Sequence, residues 1–288
     1  MNEKTLLYQI TETSPFMMGF VLVTQSDNVI VIDGGRPEDM PLLKQYIGGR
    51  HISAWILTHP HGDHISGFIS EFHENRLADF DIEKLYYNFP PYYELKGRTD
   101  VPDQTYFNTE LEGVLAGFVK IEPELAHIAH IVTQGESIDV DECHIDFIYT
   151  YHDGLFSNLM NDASLVFHIT TPNKKVLFLG DLGPEGGDVL YEESRHLLKA
   201  DIVQMAHHGH MNVGMEVYAA IMPTACMWCC ADWLYNEPEI PKYLSNREKL
   251  RRMQRERMYG TTVTRQWMDI LGVKTHYVTK DGTNVIEL

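Results

Sequence analysis

The residues best suited to chemistry form one short run, and its sequence is Thr58-His59-Pro60-His61-Gly62-Asp63-His64. An apolar segment at residues 52–57 precedes the run and predicts a buried strand that ends just before the histidines. In extended backbone, side chains two residues apart point the same way, so His59 and His61 can present both imidazoles to one cation. The first half of the run therefore predicts one metal-binding position.

The second half of the run predicts another metal-binding position. Gly62 allows the chain to turn sharply, and Asp63 and His64 then stand at the start of a helical pattern of apolar residues. Imidazole nitrogens and carboxylate oxygens are ligands for zinc, manganese and iron. Because the spacing divides the ligands into two pairs, we predict two divalent metal ions, with zinc favoured over manganese or iron. A polar loop that is merely rich in histidine is the alternative.

Polar residues also follow three other predicted strands. Asp33 follows a short apolar strand and precedes two glycines, a place from which it can orient a metal ligand or simply close a turn. Asp181 follows a predicted hairpin over residues 164–179. The sequence His207-His208-Gly209 follows a predicted strand at residues 201–206. Several strand ends therefore carry candidate ligands.

The order of the predicted elements indicates an α/β fold. A strand, a helix at residues 38–47 and the strand at residues 52–57 make a parallel crossover, and the second half of the chain repeats this style. Two such halves, each with ligands at strand ends, suggest one sandwich with the site along an edge. Apolar spacing further predicts an amphipathic helix over Phe107–Phe118, which can continue through Leu125, Ile128 and Ile131 with a break at Pro123.

The composition is that of an ordinary globular chain with a strong negative charge. The 288 residues carry a net charge of −18, whereas a protein that grips nucleic acid presents a basic face. Basic residues gather mainly at residues 247–255, where interspersed acids and helical spacing predict a solvated helix face. We find no secretory signal and no run of ~18 apolar residues, so we expect a cytoplasmic protein without a membrane span.

The remaining cysteines and histidines are predicted to be structural or solvated. Cys226, Cys229 and Cys230 lie in a predicted strand, where residues three apart face opposite sides, so buried thiols are favoured over a zinc site. His127 and His130 are three apart on the predicted helix and could bind a metal, although such pairs are more often solvated.

Taken together, these signatures resemble the metallo-β-lactamase superfamily. Asp33, the His-x-His-x-Asp-His run, Asp181 and the His-His-Gly sequence occur in the order of that superfamily. The stretch Asn161-Asp162-Ala163-Ser164-Leu165-Val166 is similar to one in the C-terminal hydrolase domain of ComEC-type competence proteins. Residues 267–283 resemble the closing helix, strand and turn of that domain, so the likeness covers most of the chain.

The resemblance implies a four-layer αβ/βα sandwich of the α/β (α+β) class. It implies a single domain over residues 1–288. Two parts match poorly and are expected to vary: an insertion atypical of the family at about residues 80–135, and a helical stretch at about residues 232–260. It also implies a dinuclear metal site at the edge of the sandwich.

The resemblance assigns the candidate ligands to two metals. The implied ligands are His59, His61, Asp63, His64, Asp181 and His207. The first two hold one metal, the next two hold the other together with His207, and Asp181 bridges both. Asp33 supports a ligand from behind the metal shell. His208 is the alternative to His207 as a ligand; otherwise it is expected to hydrogen-bond nearby or to meet substrate.

One departure from the family concerns the first metal. Many members have a further histidine between the two halves of the chain, where this sequence has Asn161 and Ser164, which we predict to contact substrate. His152 is the nearest histidine but is not favoured as a ligand, and His168, inside a predicted strand, is predicted to be structural. The first metal is therefore expected to have waters in its shell.

The implied chemistry is hydrolysis by a hydroxide that two metals activate, since metal binding lowers the pKa of a bound water toward ~7. Asp63 is expected to orient this metal-bound water, and a metal-bound water, His208 or His210 is a candidate to protonate the leaving group. The favoured substrate is a small anionic ester, either a phosphodiester or a phosphate ester. A lactone or amide hydrolase of the same fold and a non-catalytic metal-bearing binding module are the alternatives.

Overall fold

The structure of the protein is a computed structural model that describes residues 3–74, 76–99, 101, 103–154, 158–236, 257 and 259–288. Within these residues the strands form two seven-stranded sheets. The first sheet contains β1 (Leu6–Gln9), β2 (Gly19–Val23), β3 (Val29–Asp33), β4 (Ile52–Ile56), β5 (Leu85–Tyr87) and β6 (Ala129–Ile131). The second sheet contains β7 (Ser137–Val140), β8 (Cys143–Tyr149), β9 (Val166–Thr170), β10 (Lys175–Phe178), β11 (Ile202–Gln204), β12 (Ala225–Trp228) and β13 (Thr275–Val278). The last strand, β14 (Asn284–Glu287), returns to the first sheet and pairs with β1.

Helices connect the strands and cover the outer faces of both sheets. Those of the first half are α1 (Met40–Ile47), α2 (Gly62–His73), α3 (Tyr92–Leu95), α4 (Gln104–Glu110) and α5 (Ala116–Leu125). Those of the second half are α6 (Leu159–Asp162), α7 (Pro184–Ser194), α8 (Met215–Ile221), α9 (Asp232–Tyr235) and α10 (Thr261–Ile270). Short 3₁₀ turns lie at Leu77–Asp79, Ala206–Gly209 and Thr279–Asp281.

The core has three apolar layers, because both faces of each sheet are covered. In β3, Ile30 and Ile32 face the second sheet, whereas Val29 and Val31 face the helices α1 and α2. Such strands are apolar along their whole length, which is typical of sheets buried on both faces. A third layer packs the other face of the second sheet against α7, α8 and α10. The predicted four-layer αβ/βα sandwich is therefore confirmed.

The topology explains why ligands from distant parts of the sequence can meet. β3 runs parallel to β4 in the first sheet, and β10 runs parallel to β11 in the second. The carboxyl ends of parallel strands lie at one edge of a sheet, where open α/β folds place their ligand sites. β3 ends in the candidate residue Asp33, and each of the other three strands is followed by a segment that carries at least one candidate residue.

The helix predicted over Phe107–Phe118 is confirmed, but its predicted continuation to Ile131 is wrong at both the break and the end. The helical path runs through α4, a π-helical turn at Leu111–Leu115 and α5, and Pro123 lies inside α5. Proline removes only one backbone donor there, two residues before the helix ends. Ala129–Ile131 instead form β6, because they pair in parallel with β5. Pairing at the sheet edge outweighs helical spacing in these residues.

Two other sequence predictions are confirmed, and two fall mostly outside the described residues. The hairpin is confirmed as β9 and β10, in which Thr170 pairs with Lys175. All four cysteines are free and buried, and Cys226 and Cys229 face opposite sides of the second sheet. The predicted variable stretch at 232–260 falls mostly outside the described residues, as do the basic residues at 247–255. Among the described helices, none has the length and apolar character needed to cross a bilayer.

His168 gives this fold a pH-dependent stability. The side chain is 1% exposed in β9, and its Nε2 has no hydrogen-bond partner. Burial, together with the positive charge of Lys175, lowers the pKa of His168 to about 4 from its usual 6.5. The unfolded chain therefore binds a proton more readily than the folded one, and stability is lost as pH falls through the window between the two pKa values.

We expect the His168→Gln variant to lose less stability on acidification than the wild type. The His168 contribution amounts to about 2 kcal/mol between pH 7.5 and pH 5. Urea unfolding of both proteins, metal-free at the two pH values, measures the difference and cancels the other titrating groups. Equal losses in the two proteins would show that His168 is not held neutral in the folded state.

Candidate metal centre

The run of histidines forms the corner between β4 and α2. His61 keeps an extended backbone, with φ −100° and ψ 155°, and α2 starts at Gly62. Asp63 and His64 thus lie in the first turn of the helix, as the sequence predicts. The backbone N–H of Gly62 donates to Glu110 Oε2 at 2.8 Å. A side chain from α4 therefore holds the turn from the outside.

Asp181 follows β10 and is preceded by Gly180, where a left-handed backbone and a close neighbour leave no space for a side chain. The preceding Gly180 has φ +55°, and a Cβ there would lie 2.7 Å from the Ser164 hydroxyl oxygen. The same hydroxyl oxygen accepts the backbone N–H of Asp181 at 2.9 Å. The absence of a side chain at residue 180 and the position of Ser164 together aim the Asp181 carboxylate at the histidines.

His207 and His208 follow β11 in an unusual conformation. Their φ values are 47° and 57°, so two successive non-glycine residues are left-handed. Such a backbone costs roughly 1–2 kcal/mol per residue and persists only where the surroundings determine it. Gly209 continues the turn with φ 94°, and a Cβ there would lie 2.5 Å from the ring of Trp228. The strain brings two adjacent imidazoles to the same carboxylate.

The candidate ligands form two groups that meet at Asp181. His59, His61 and Asp181 each offer an atom within 4.8 Å of the others, and Asp63, His64 and His208 do the same. Asp181 also lies next to the second group, because its Oδ1 is 3.3 Å from His64 Nε2 and its Oδ2 is 3.2 Å from His208 Nε2. All six side chains are buried. The geometry matches two cation positions with one carboxylate between them.

The chemistry of the donor atoms fits metal ions. Four buried atoms here have no hydrogen-bond partner: His59 Nε2, His64 Nε2, His208 Nε2 and Asp181 Oδ1. Buried polar atoms are rarely left unpaired, so a cluster of them indicates a missing partner. Imidazole nitrogen with carboxylate oxygen is the donor set that zinc and similar metals take. The residues therefore fit the predicted pair of divalent metals.

Asp33 lies directly behind the second group. Its Oδ2 is 2.7 Å from His64 Nδ1 and accepts the Thr58 hydroxyl at 2.7 Å, and its Oδ1 accepts the Thr58 backbone N–H at 2.8 Å. His208 is held similarly, because its Nδ1 donates to the Cys229 carbonyl at 2.8 Å. In both histidines the bound Nδ1 leaves Nε2 to face the ligand position, the usual arrangement in metal sites.

Burial and charge divide the histidines of the metal-free protein into two kinds. Burial lowers the pKa of His59 well below its usual value and that of His61 to about 4, so both rings are neutral. Burial also opposes charge on His208, but the Asp181 and Asp63 carboxylates outweigh it and raise the pKa to about 10. Metals bind only deprotonated imidazole, so metal binding must displace the proton of His208.

The structure places the two adjacent histidines differently from the favoured assignment. His208, and not the favoured His207, joins Asp63 and His64 in the second group. His207 Nε2 instead lies 4.0 Å from Asp181 Oδ2 and 3.2 Å from Asn161 Nδ2. The role of His208 as an acid for the leaving group stays a prediction, and both of its ring nitrogens face protein acceptors. Its Nδ1 is bound to a carbonyl, and its Nε2 lies between two carboxylates.

The predicted substrate contacts lie in different settings. Asn161 lines the cleft beside the candidate metal centre, and its contact with substrate stays a prediction. Ser164 is fully buried, and its hydroxyl accepts from the Asp181 backbone, so its location favours positioning of Asp181 over contact with substrate. His152 hydrogen-bonds Gln134 and lies outside both groups of ligands. The exposed His130 contacts Glu136 and is likewise outside both groups.

An open cleft of about 430 Å³ leads to the metal centre. Its floor includes His61, Asp63 and Asp181. Its walls are largely apolar, and the apolar and aromatic members are Phe16, Val101, Tyr106, Phe107, Leu159, Met160, Pro184 and Met211. The described lining contains no lysine or arginine. The cleft can therefore surround an uncharged organic group next to the cations.

Sequence reasoning missed most of this wall. Tyr106 comes from α4 in the predicted insertion, and its ring centroid is 5.5 Å from that of His61. Phe107 packs with Leu159 and Met160 in a small separate core that joins α4 to α6. Apolar spacing did mark Phe107 as a buried helical residue. Nothing in the sequence indicates that α4 lies against the His59–His64 turn.

Comparisons with known proteins agree with this architecture. The sequence model of the metallo-beta-lactamase superfamily matches residues 20–216. Among solved structures, the metallo-beta-lactamase fold protein YhfI from Bacillus subtilis is 12% identical, with a TM-score of 0.56. That alignment covers 99% of this chain and 100% of YhfI. CmlA, a diiron beta-hydroxylase from Streptomyces venezuelae, is 11% identical with a TM-score of 0.56, and the alignment covers 100% of this chain and 55% of CmlA.

At such low identity these structures show a shared fold and nothing about substrate. No curated protein matches the chain. Nothing in the comparisons supports the finer likeness to ComEC-type competence proteins, which stays a prediction. The matched span includes every candidate ligand from Asp33 to His208, and the two sheets have the sandwich arrangement of that fold. The chain therefore belongs to the metallo-beta-lactamase superfamily.

Proposed function

We propose that this protein is a hydrolase that uses two divalent metal ions, with zinc favoured, to cleave an ester bond. One observation carries the proposal: two groups of buried ligands meet at Asp181 on the floor of an open cleft. Two adjacent cations would lower the pKa of a water and polarise the scissile ester oxygen. Because a metal-activated water would attack the ester, hydrolysis would require no protein nucleophile.

The residues of the chain have separable tasks in this reaction. Asp181 and Asp63 supply the negative charge that offsets the cations, and Asp63 can accept a hydrogen bond from the attacking water. His59 and His61 are neutral, so they are ready to bind a metal without losing a proton. Burial and nearby carboxylates raise the pKa of Tyr106, so its phenol remains protonated and can donate a hydrogen bond to the substrate.

The lining of the cleft bears on the substrate class. The sequence favoured a phosphodiester or phosphate ester, with a lactone or amide as the alternative. Phosphate sites usually contain arginine or lysine, and the described lining offers neither, while it does include Asp103 in addition to Asp63 and Asp181. We therefore place a carboxylic ester or lactone with an apolar body first and a phosphoester second.

We expect metal-loaded protein to hydrolyse para-nitrophenyl butyrate or an alkyl lactone with at least ~10-fold higher kcat/KM than bis-(para-nitrophenyl) phosphate. The Asp181→Asn variant should lower kcat by on the order of 1000-fold, because it removes the charge shared by both cations. Asp139→Asn is the matched control, since the side chain of Asp139 is 80% exposed and lies on β7. Initial rates with zinc, manganese and iron forms measure both effects.

Two results would contradict this proposal. Absence of turnover on esters, lactones and phosphoesters by every two-metal form would favour the non-catalytic binding module. A preference for the phosphodiester would keep the hydrolase but reverse the order of the substrates.

A Ser164 variant can distinguish a role in positioning Asp181 from a role in substrate contact. We expect Ser164→Ala to weaken metal binding by about 10- to 100-fold, as loss of a supporting hydrogen bond does, and to leave KM for the ester unchanged once metal is saturating. Chelator competition gives the affinity, and steady-state kinetics give KM. An increase in KM with unchanged metal affinity would restore the substrate-binding role predicted from the sequence.

The net charge of −18 predicts weak interaction with nucleic acid. Phosphate backbones bind through basic residues, and the affinity falls steeply with salt. We expect a Kd above about 10⁻⁴ M for duplex DNA at physiological salt, the weak end of nonspecific binding. Fluorescence anisotropy over a salt series tests this, and tight binding that resists salt would overturn it.

A further inference from the structure

When Asp181 is counted in both groups, the two groups supply unequal numbers of protein ligands. The second group has Asp63, His64 and His208, with the Asp181 carboxylate oxygens 3.2–3.3 Å from the two imidazoles. That makes four protein donors for one cation. The first group has only His59 and His61 with the same Asp181. Zinc in proteins commonly takes four ligands, so the first position has room for one more protein donor.

His207 lies next to this open coordination position. Its left-handed backbone, which brings it there, has an energetic cost. Its φ and ψ are 47° and 50°, a left-handed conformation that non-glycine residues rarely adopt. Its backbone N–H donates to the Gly180 carbonyl at 3.1 Å, which ties it to the segment that carries Asp181. Its Nε2 lies 4.0 Å from Asp181 Oδ2. The side chain is 13% exposed, and strain that points a partly buried side chain at a charged centre indicates a role for that side chain.

The orientation of the His207 ring is that of a metal ligand. Its Nδ1 lies 3.3 Å from the Met211 carbonyl oxygen, which can only accept, so Nδ1 carries the proton and Nε2 the lone pair. His208 is held in the same way by the Cys229 carbonyl. Met211 shares the left-handed turn region with φ 42°. The turn therefore orients two adjacent histidines with the same nitrogen facing the cleft.

The present partner of His207 Nε2 is a side chain that can be exchanged. Asn161 Nδ2 lies 3.2 Å from this nitrogen, and Asn161 Oδ1 is buried without a partner. Because the Asn161 carbonyl oxygen has no hydrogen-bond donor, this orientation of the amide is only weakly stabilised. Rotation of the Asn161 side chain would free the lone pair of His207 and allow its oxygen to find a donor.

We propose that His207 is the third histidine of the first metal and binds it through Nε2 beside His59, His61 and Asp181. Each of the two adjacent histidines then serves a different cation, and His152 is not needed. His207 Nε2 lies outside the 4.8 Å spacing of the first group, so binding would draw the ring inward. The inference rests on the two-metal centre of the proposed function but not on hydrolysis.

The test is metal stoichiometry in the 288-residue chain. His207→Asn suits it, because asparagine tolerates left-handed backbone and is too short to reach the cation. We expect wild type to bind two cobalt or zinc ions, and His207→Asn to keep one and bind the other at least 100-fold more weakly. His152→Asn is the matched control and should bind two ions like wild type. Elemental analysis and stepwise cobalt absorption titrations give the counts.

Double variants identify which metal His207 serves. If His207 and His61 share one cation, the His61→Asn/His207→Asn protein should still bind one ion tightly. The His207→Asn/His208→Asn protein should bind none tightly, because each substitution damages a different position. The reverse pattern, with one ion retained only when His207 and His208 are both replaced, would place His207 at the second metal and overturn the proposal.

Other outcomes are equally decisive. Wild-type affinity for two ions in His207→Asn would remove His207 from the metal shell, and uptake of only one ion by wild type would leave it no first metal to bind. His207→Gly, for which left-handed backbone carries no penalty, repeats the measurement if the metal-free asparagine variant melts below wild type. Two bound ions without turnover would contradict the hydrolase, while the stoichiometries of the variants would still decide the role of His207.

Discussion

The carboxylate of Asp181 is the interaction on which the rest of the centre depends. Four imidazoles lie around its two oxygens at distances of 3.2 to 4.0 Å. Ionisable groups buried together are costly unless opposite charges and hydrogen bonds offset the loss of water. Much of the nearby structure serves to fix this carboxylate: Gly180 leaves space, Ser164 holds the Asp181 backbone, and the Gly180 carbonyl accepts the N–H of His207.

The sequence could predict those parts of the site that depend on local geometry. The short run directly after β4 brings His59 and His61 to one place, and the start of α2 sets the direction of Asp63 and His64. The sandwich could be predicted from the order of strands and helices, because parallel strands must end at a common edge. Asp33 and Asp181 were identified for the same reason, since each stands at such an end.

The remaining features depend on contacts between distant segments. Two adjacent histidines can be told apart only by the left-handed backbone at residues 207 and 208, and no residue-type pattern marks such a conformation in histidine. The strand at Ala129–Ile131 had helical spacing, and its pairing with β5 decided its structure. The aromatic wall of the cleft comes from α4, whose docking through Glu110 onto Gly62 involves residues 48 apart in the sequence.

The division of the ligands between the two halves of the chain has a consequence for the lifetime of the protein. The first sheet supplies the His59–His64 turn, and the second supplies Asp181 and His208, so a bound cation cross-links the sheets at their shared edge. A ligand that binds only the folded state adds about 4 kcal/mol to the free energy of unfolding at ~1,000 times its Kd. Metal starvation in the cell would therefore expose this chain to proteolysis, and its abundance would follow metal supply.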